Sequence, residues 1–442
     1  MFVRIDNTPR DYAWGDPTAI ARLLGRVPSG APEAELWLGA HPGSPARIEG
    51  ASPAPDLAAW IAADPVTALG PDLVAADHSA GRAPHLPFLL KVLAAAAPLS
   101  LQAHPSPEQA AEGFAREDAA GIPRDAPHRN YKDPFHKPEL IYALSDTFHA
   151  LCGFRDRASV ASDLVRLVAV AADAGSPAPA VAAFAARLTA ADDDGAALRD
   201  GVTWLLSGGA EVNALVAETM RAARLVLAEA GADDFEEVDA LDPALLPFES
   251  VVTLHDAYPG DAGVPLSLLL NRVRLTRGQA LYLPAGNIHM YLRGLGVELM
   301  AASDNVLRGG FTPKHVDVDE LGRVLDFTPL PAPLLEPAIE GGVEVFRPGV
   351  PDFELVHIAS GAAAAASGAE AGTDAGAGAD AYRIRLTAPA IALATSGSLE
   401  LAGSHGAVSV ARGQAVYITP DEGELEVRGR GELFVATSPG KS

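Results

Sequence analysis

The segment RGQALYLPAGN, residues 277–287, returns as RGQAVYITPDE, residues 412–422, 135 residues further along. Gly-Gln-Ala followed by an alternating apolar run and a proline is the pattern of one hairpin written twice, so the chain is expected to build two related β-units. The first copy runs on into a histidine, His289, and the second does not. One unit is therefore expected to carry a site and the other only the fold.

What lies around the two copies sets the order of the domains. ELWLGAHPGSP (35–45) and PFLLKVL (87–93) are short apolar runs bounded by turn residues, as strands are. Residues 158–230 are alanine-rich, and Val212, Leu215, Val216, Met220 and Leu227 recur at helical spacing. The pattern returns to strands in SLLLNRVRLTRGQALYLPAGNIHMYL and stays there from 331 onward, in VEVFRP, FELVHIAS, IALATSGSLELAGS, GAVSVARGQAVYITP and GELFVATS. The expected architecture is mainly β with an inserted α-helical domain. Residues 1–157 plus 247–330 form a site-bearing unit, 158–246 a helical insert, and 331–442 a second β-unit. Within the last, GAAAAASGAEAGTDAGAGADA (361–381) has low complexity and no core pattern, and reads as a mobile insert.

A formal charge of −24 argues against nucleic acid, whose backbone needs a basic surface. The longest apolar stretch, LPFLLKVLAAAAPLSL, holds Lys91 and two prolines and is too interrupted to span a bilayer. The N-terminal residues lack the pattern of a secretory signal, and the single cysteine, Cys152, precludes an intrachain disulfide. A cytoplasmic protein with no membrane partner, acting as a monomer, is expected. If its substrate is an anion, the few cations must gather at the site against the global field.

Four segments concentrate reactive side chains. LSLQAHP places Gln102 and His104 at i, i+2, the same side of an extended strand. HKPEL supplies His136, Lys137 and Glu139; PAGNIHMY supplies His289 and Tyr291; VELMAASDNVLRGGFTPKH supplies Glu298, Asp304, Arg308 and Lys314. One glutamine, two histidines and one glutamate suit a divalent transition metal, and the absence of cysteine from the set favours a catalytic over a structural zinc. Each residue also has an ordinary reading. Gln102 could cap a turn, His104 could be a solvated loop residue, and Glu139 could open a helix after Pro138. His289 could face solvent, and Arg308 with Lys314 could be an exposed basic patch. His41, in GAHPGSP, reads as structural.

LSLQAHP, HKPEL, YPGDAGVPLSLLLN and YLPAGNIHMYLRGLGVELMAASDNVLRGGFTPKHVDV, with YAWG and AELWLGAHP earlier, together resemble the type I mannose-6-phosphate isomerases, in order from Tyr12 to Asp317. The 361–381 insert departs from the family pattern but lies outside every motif. The resemblance implies cupin-like jelly-roll domains with an inserted helical domain. It implies one Zn²⁺ per chain on Gln102, His104, Glu139 and His289, and a phosphosugar substrate, mannose 6-phosphate or fructose 6-phosphate. Proton transfer between C2 and C1 through a cis-enediol needs a base. A relay of Lys137 and Glu298 is expected, with Asp304 either a further carboxylate or the ion-pair partner of Arg308. Arg308 matches an active-site arginine. Lys314, Ser100 and Lys91 are expected at the phosphate, His136 at the substrate, and Trp14 and Tyr291 along the sugar. A sugar-binding relative without catalysis, or an isomerase of another phosphosugar, would share the fold. The complete ligand set together with Arg308 and Lys137 favours the isomerase.

Overall fold

The computed structural model describes residues 1–50, 54–232, 235–361 and 381–440, so the insert expected at 361–381 lies outside the described residues except for its two ends. Two antiparallel sheets, each of ten strands among the described residues, account for most of the chain. The repeat is real in three dimensions. Its copies form the strands Ala280–Leu283 and Ala415–Ile418. In each, the glutamine side chain accepts the backbone N–H three residues before it: Gln279 from Thr276 at 2.8 Å, and Gln414 from Ala411 at 2.9 Å. The preceding glycines, Gly278 and Gly413, hold positive φ of 94° and 80°, the left-handed turn that glycine adopts without a Cβ penalty.

The first sheet is organised by one long strand, His289–Ala301. Its first residues pair with Leu101–Ala103 and Thr147–Phe154, and its later residues with Phe88–Ala95 and Glu139–Ala143. The strand passes from one half-sheet to the other at a bulge between Tyr291 and Arg293, followed by Gly294 at φ 133°. A Cβ at Gly294 would stand 2.6 Å from the Phe148 ring, so both the turn and the close approach require glycine there. Residues from both halves, among them Leu93, Ile141, Phe148, Cys152, Leu275, Leu283 and Tyr291, fill the interior with an apolar core.

The alanine-rich block is helical, in Arg157–Asp173, Pro179–Thr189, Asp194–Ser207 and Ala210–Glu229. Asp156 caps the first by accepting the Ser159 N–H at 2.8 Å. In the last, Val212, Leu215, Val216 and Leu227 are buried as their spacing requires. Helix continues beyond the expected boundary as Leu246–Ala257 before the strands resume at Leu270. Two pairings cross the boundaries read from the sequence. Phe2–Asp6 joins the second sheet, against Ala415–Ile418 and Arg47–Ile48. Leu334–Leu335 joins the first, against Ala280–Leu281. Short edge strands carry little pattern of their own, and a partner far along the chain decides where they lie. Among the described residues no helix is long and apolar enough to cross a membrane.

Candidate metal centre

Three strands bring the expected ligands to one point. Gln102 and His289 are direct cross-strand partners, and Glu139 opens the strand that pairs with the far half of the His289 strand. His104 follows the strand Leu101–Ala103, just before the Ser106 capping box that starts the helix Pro107–Ala119. His104, Glu139 and His289 are buried, and one ligand atom from each lies within 4.8 Å of the others. His104 Nε2 is 3.3 Å from Glu139 Oε1, and His289 Nε2 is 3.2 Å from Glu139 Oε2. Gln102 Nε2 is 3.4 Å from His289 Nε2. A half-turn of the carboxamide exchanges its two ends and presents Oε1 there instead.

Backbone carbonyls fix the tautomers. His104 Nδ1 donates to Asn305 O at 2.7 Å and His289 Nδ1 donates to Asn287 O at 3.0 Å. Both Nε2 atoms therefore turn a lone pair toward the carboxylate. His104 Nε2 and Glu139 Oε2 are buried with no hydrogen-bond partner among the described residues. Orphaned lone pairs converging on one another are costly without a cation between them, and two neutral imidazoles, a carboxylate and an amide suit Zn²⁺. Burial, then the Lys137 charge, pushes the His104 pKa down to about 4. Burial opposes the charge on Glu139, but Lys137, 3.0 Å away, and His104 hold its pKa well below the usual range.

Beside the centre runs a buried line of charge. Lys91 Nζ lies 2.9 Å from Glu298 Oε2 and 3.5 Å from Glu35 Oε1, and 5.2 Å from the Trp37 ring centroid. Burial favours the neutral amine, but Glu298 and Glu35 outweigh it and raise the Lys91 pKa. Burial also raises the pKa of Glu298 against the pull of Lys91. Lys91, expected at the phosphate, is here paired with two carboxylates. Lys137 and Glu298, expected as partners, belong to separate pairs, Lys137 with Glu139 and Glu298 with Lys91.

Three further expectations change. Asp304 does not pair with Arg308; its Oδ1 faces His41 Nε2 at 3.4 Å. His136 contacts Asp352, in the bend that leads into the second-sheet strand Glu354–Ala359, 2.7 Å from Nε2. Tyr291 is buried, edge-on to Phe148 at 5.2 Å and 6.3 Å from the His289 ring, because the strand alternation that turns His289 inward turns Tyr291 inward too. Burial, then Glu298, raises its pKa well above the usual range. Trp14 is half-buried, stacked on Tyr12 at 5.8 Å. Ser100 is half-buried at the head of the Gln102 strand.

Arg308 is half-buried, directly across from Gln102 in the ladder, and its guanidinium has no partner among the described residues. Burial lowers its pKa. Burial, then Arg308 and Lys132, lowers that of Lys314, so three cations share this side of the site. The sequence reading missed Lys132, Glu35 and Trp37. The last two sit at i, i+2 in AELWLG, the spacing that drew attention to Gln102 and His104, and the same argument applied there finds them. Asn305 was missed as well. It is fully buried, and its side chain accepts the Lys132 N–H at 2.7 Å and donates to the carbonyls of Asp133 (2.7 Å) and Phe135 (2.8 Å), while its own carbonyl receives His104.

A family model described as phosphomannose isomerase type I, catalytic domain, matches residues 2–157. The mannose-6-phosphate isomerase of Escherichia coli strain K12 is 35% identical over 437 residues, spanning 97% of this chain and 98% of that protein. The enzyme of that name from Salmonella typhimurium is 38% identical over 348 residues, 78% of this chain and 80% of that one. A crystal structure of mannose 6-phosphate isomerase with zinc bound superposes with a TM-score of 0.80 at 32% identity, covering 99% of this chain and 100% of that one.

Proposed function

The chain belongs to the type I mannose-6-phosphate isomerases, and from that premise we propose that it interconverts mannose 6-phosphate and fructose 6-phosphate with one zinc ion on Gln102, His104, Glu139 and His289. The observation that carries the proposal is the convergence of the His104 and His289 Nε2 lone pairs on the Glu139 carboxylate, with each Nδ1 tied to a backbone carbonyl. Zinc held by these four residues would supply Lewis-acid polarisation of a substrate oxygen.

The rest falls to the side chains. Moving a proton from C2 to C1 through a cis-enediol needs one base that takes and returns it on the same face. Glu298 suits that task because it is a buried carboxylate beside the centre whose pKa burial raises, while Lys91 keeps it oriented. Lys137, beside Glu139, donates a hydrogen bond to a substrate oxygen as charge develops on it. Arg308 offers an unpaired guanidinium to the enediolate or the phosphate, and Lys314 with Lys132 adds the charge a phosphate ester needs. Asp304, whose pKa is lowered first by its contact with His41, accepts a sugar hydroxyl. Trp14 and Ser100 border the sugar. The same proposal takes the enzyme to be a cytoplasmic monomer; light scattering checks the second point.

The test is turnover of mannose 6-phosphate by the purified chain as isolated, after chelation, and after zinc is restored. Activity that vanishes and returns with zinc is expected. A second run in heavy water examines the enediol: deuterium entering at C2 of mannose 6-phosphate supports it, and complete retention of protium argues for a hydride shift.

A further inference from the structure

AELWLGAHP sets a third side chain at the site, His41, for which the sequence offers only a structural role. His41 is buried, 7% exposed, and edge-on to Trp37 at 5.0 Å. Its Nδ1 accepts the Gly43 N–H at 3.1 Å, which leaves the ring proton on Nε2. That nitrogen stands 3.4 Å from Asp304 Oδ1. Trp37 is itself fixed, with its indole N–H donating to Glu35 Oε2 at 3.0 Å, so the imidazole rests on a rigid wall. The Asp304 main chain is held separately: its N–H donates to Asp133 Oδ2 at 2.8 Å, and the next residue, Asn305, receives His104 Nδ1. Asp304 Oδ2 has no partner among the described residues, and the side chain is 46% exposed.

We infer that His41 is a positioning residue: its Nε2–H pins one oxygen of Asp304 so that the other accepts a hydroxyl of the phosphosugar. The inference rests on the isomerase reading above. A neutral donor suits the place, because a lysine or arginine there would compete with the substrate for the second oxygen.

The test compares wild type, His41→Phe, His41→Gln, Asp304→Asn and the His41→Phe/Asp304→Asn double variant. Each is read for bound zinc, melting temperature, and kcat and KM on mannose 6-phosphate. His41→Phe keeps the edge contact with Trp37 and removes the donor. It should retain zinc and lose about tenfold in kcat/KM, the scale of one hydrogen bond to a charged group. His41→Gln, which can still donate, should recover most of that loss. In the Asp304→Asn background the Phe substitution should cost nothing more. Unchanged kcat/KM in His41→Phe, an equal fall in His41→Gln, or additive losses in the double variant would overturn the inference. Should His41→Phe not fold, His41→Gln decides against Asp304→Asn: activity near wild type supports the donor role, and activity as low as Asp304→Asn sinks it. A zinc-loaded wild type with no turnover sinks the isomerase reading and this inference together, whereas an active wild type with indifferent variants sinks only this one.

Discussion

At the scale of single residues, each of the two histidines at the centre is aimed by a backbone carbonyl, His104 by Asn305 and His289 by Asn287. His289→Ala should abolish both zinc retention and turnover, since it removes one of the two neutral lone pairs and leaves Glu139 facing a gap. Zinc content by atomic absorption alongside the activity assay checks this. Arg308→Ala should keep the metal and lower kcat/KM by about 10²–10³-fold, the cost of one donor to a developing oxyanion. Full activity in that variant would remove Arg308 from the mechanism. The pairing of Gln102 with His104 was legible from i, i+2 spacing, which survives without a fold, whereas Glu139 and His289 joined the set through residue chemistry and the family motifs. The partners of Asp304, His136 and Lys91 were not, because each is chosen by an element from elsewhere in the chain: His41, Asp352 and the Glu35 strand.

At the scale of elements, the helical block and the strands were readable from their periodicity, and the two copies of the hairpin from self-similarity. The edge strands at 2–6 and 334–335 were not, since two to five residues hold too little pattern to choose a sheet. The bulge at Gly294 is the joint on which the His289 strand changes half-sheets. Gly294→Ala should destabilise by roughly 1–3 kcal/mol through backbone strain and the clash with Phe148, read as a lower urea midpoint. The helical block is tied to the sheet by a second device. His149, fully buried, contacts Asp239 at 2.6 Å, and Arg293 reaches the same carboxylate at 3.0 Å. Burial, then Arg272, pushes the His149 pKa down to about 4, against about 6.5 in an unfolded chain. Between those values the unfolded chain binds a proton that the native one does not, so this part of the stability rises with pH from about 4 to about 6.5 and is lost on acidification. Urea midpoints of the metal-free protein at pH 5 and pH 7 should differ less in His149→Gln than in wild type; an identical difference would mean another group titrates.

At the scale of the molecule, the two sheets are joined by a buried ionic knot. Arg277, the first residue of the first repeat copy, donates to both oxygens of Glu432 at 2.9 Å, and Glu432 also accepts from Thr395 at 2.6 Å and lies 3.3 Å from His357 Nε2. Arg277→Ala should cost about 3 kcal/mol, the low end for breaking a buried pair, because its side chain keeps 24% of its exposure. A melting temperature within a degree of wild type would show that the knot is not what joins the sheets. The Asp352–His136 contact is a second seam between the sheets, and it touches the segment that bears Glu139. The pairing of Phe2–Asp6 with Ala415–Ile418 reaches further than geometry. A ribosome makes the first of these strands about four hundred residues before the second, roughly 20–80 s at typical rates of elongation. Throughout that interval the first half can condense while the earliest strand has only Arg47–Ile48 as a partner, and the second half closes only when the last repeat emerges. Extensions fused ahead of Phe2 should therefore slow the completion of the second half, and leave the half that carries His104, Glu139 and His289 to mature on schedule.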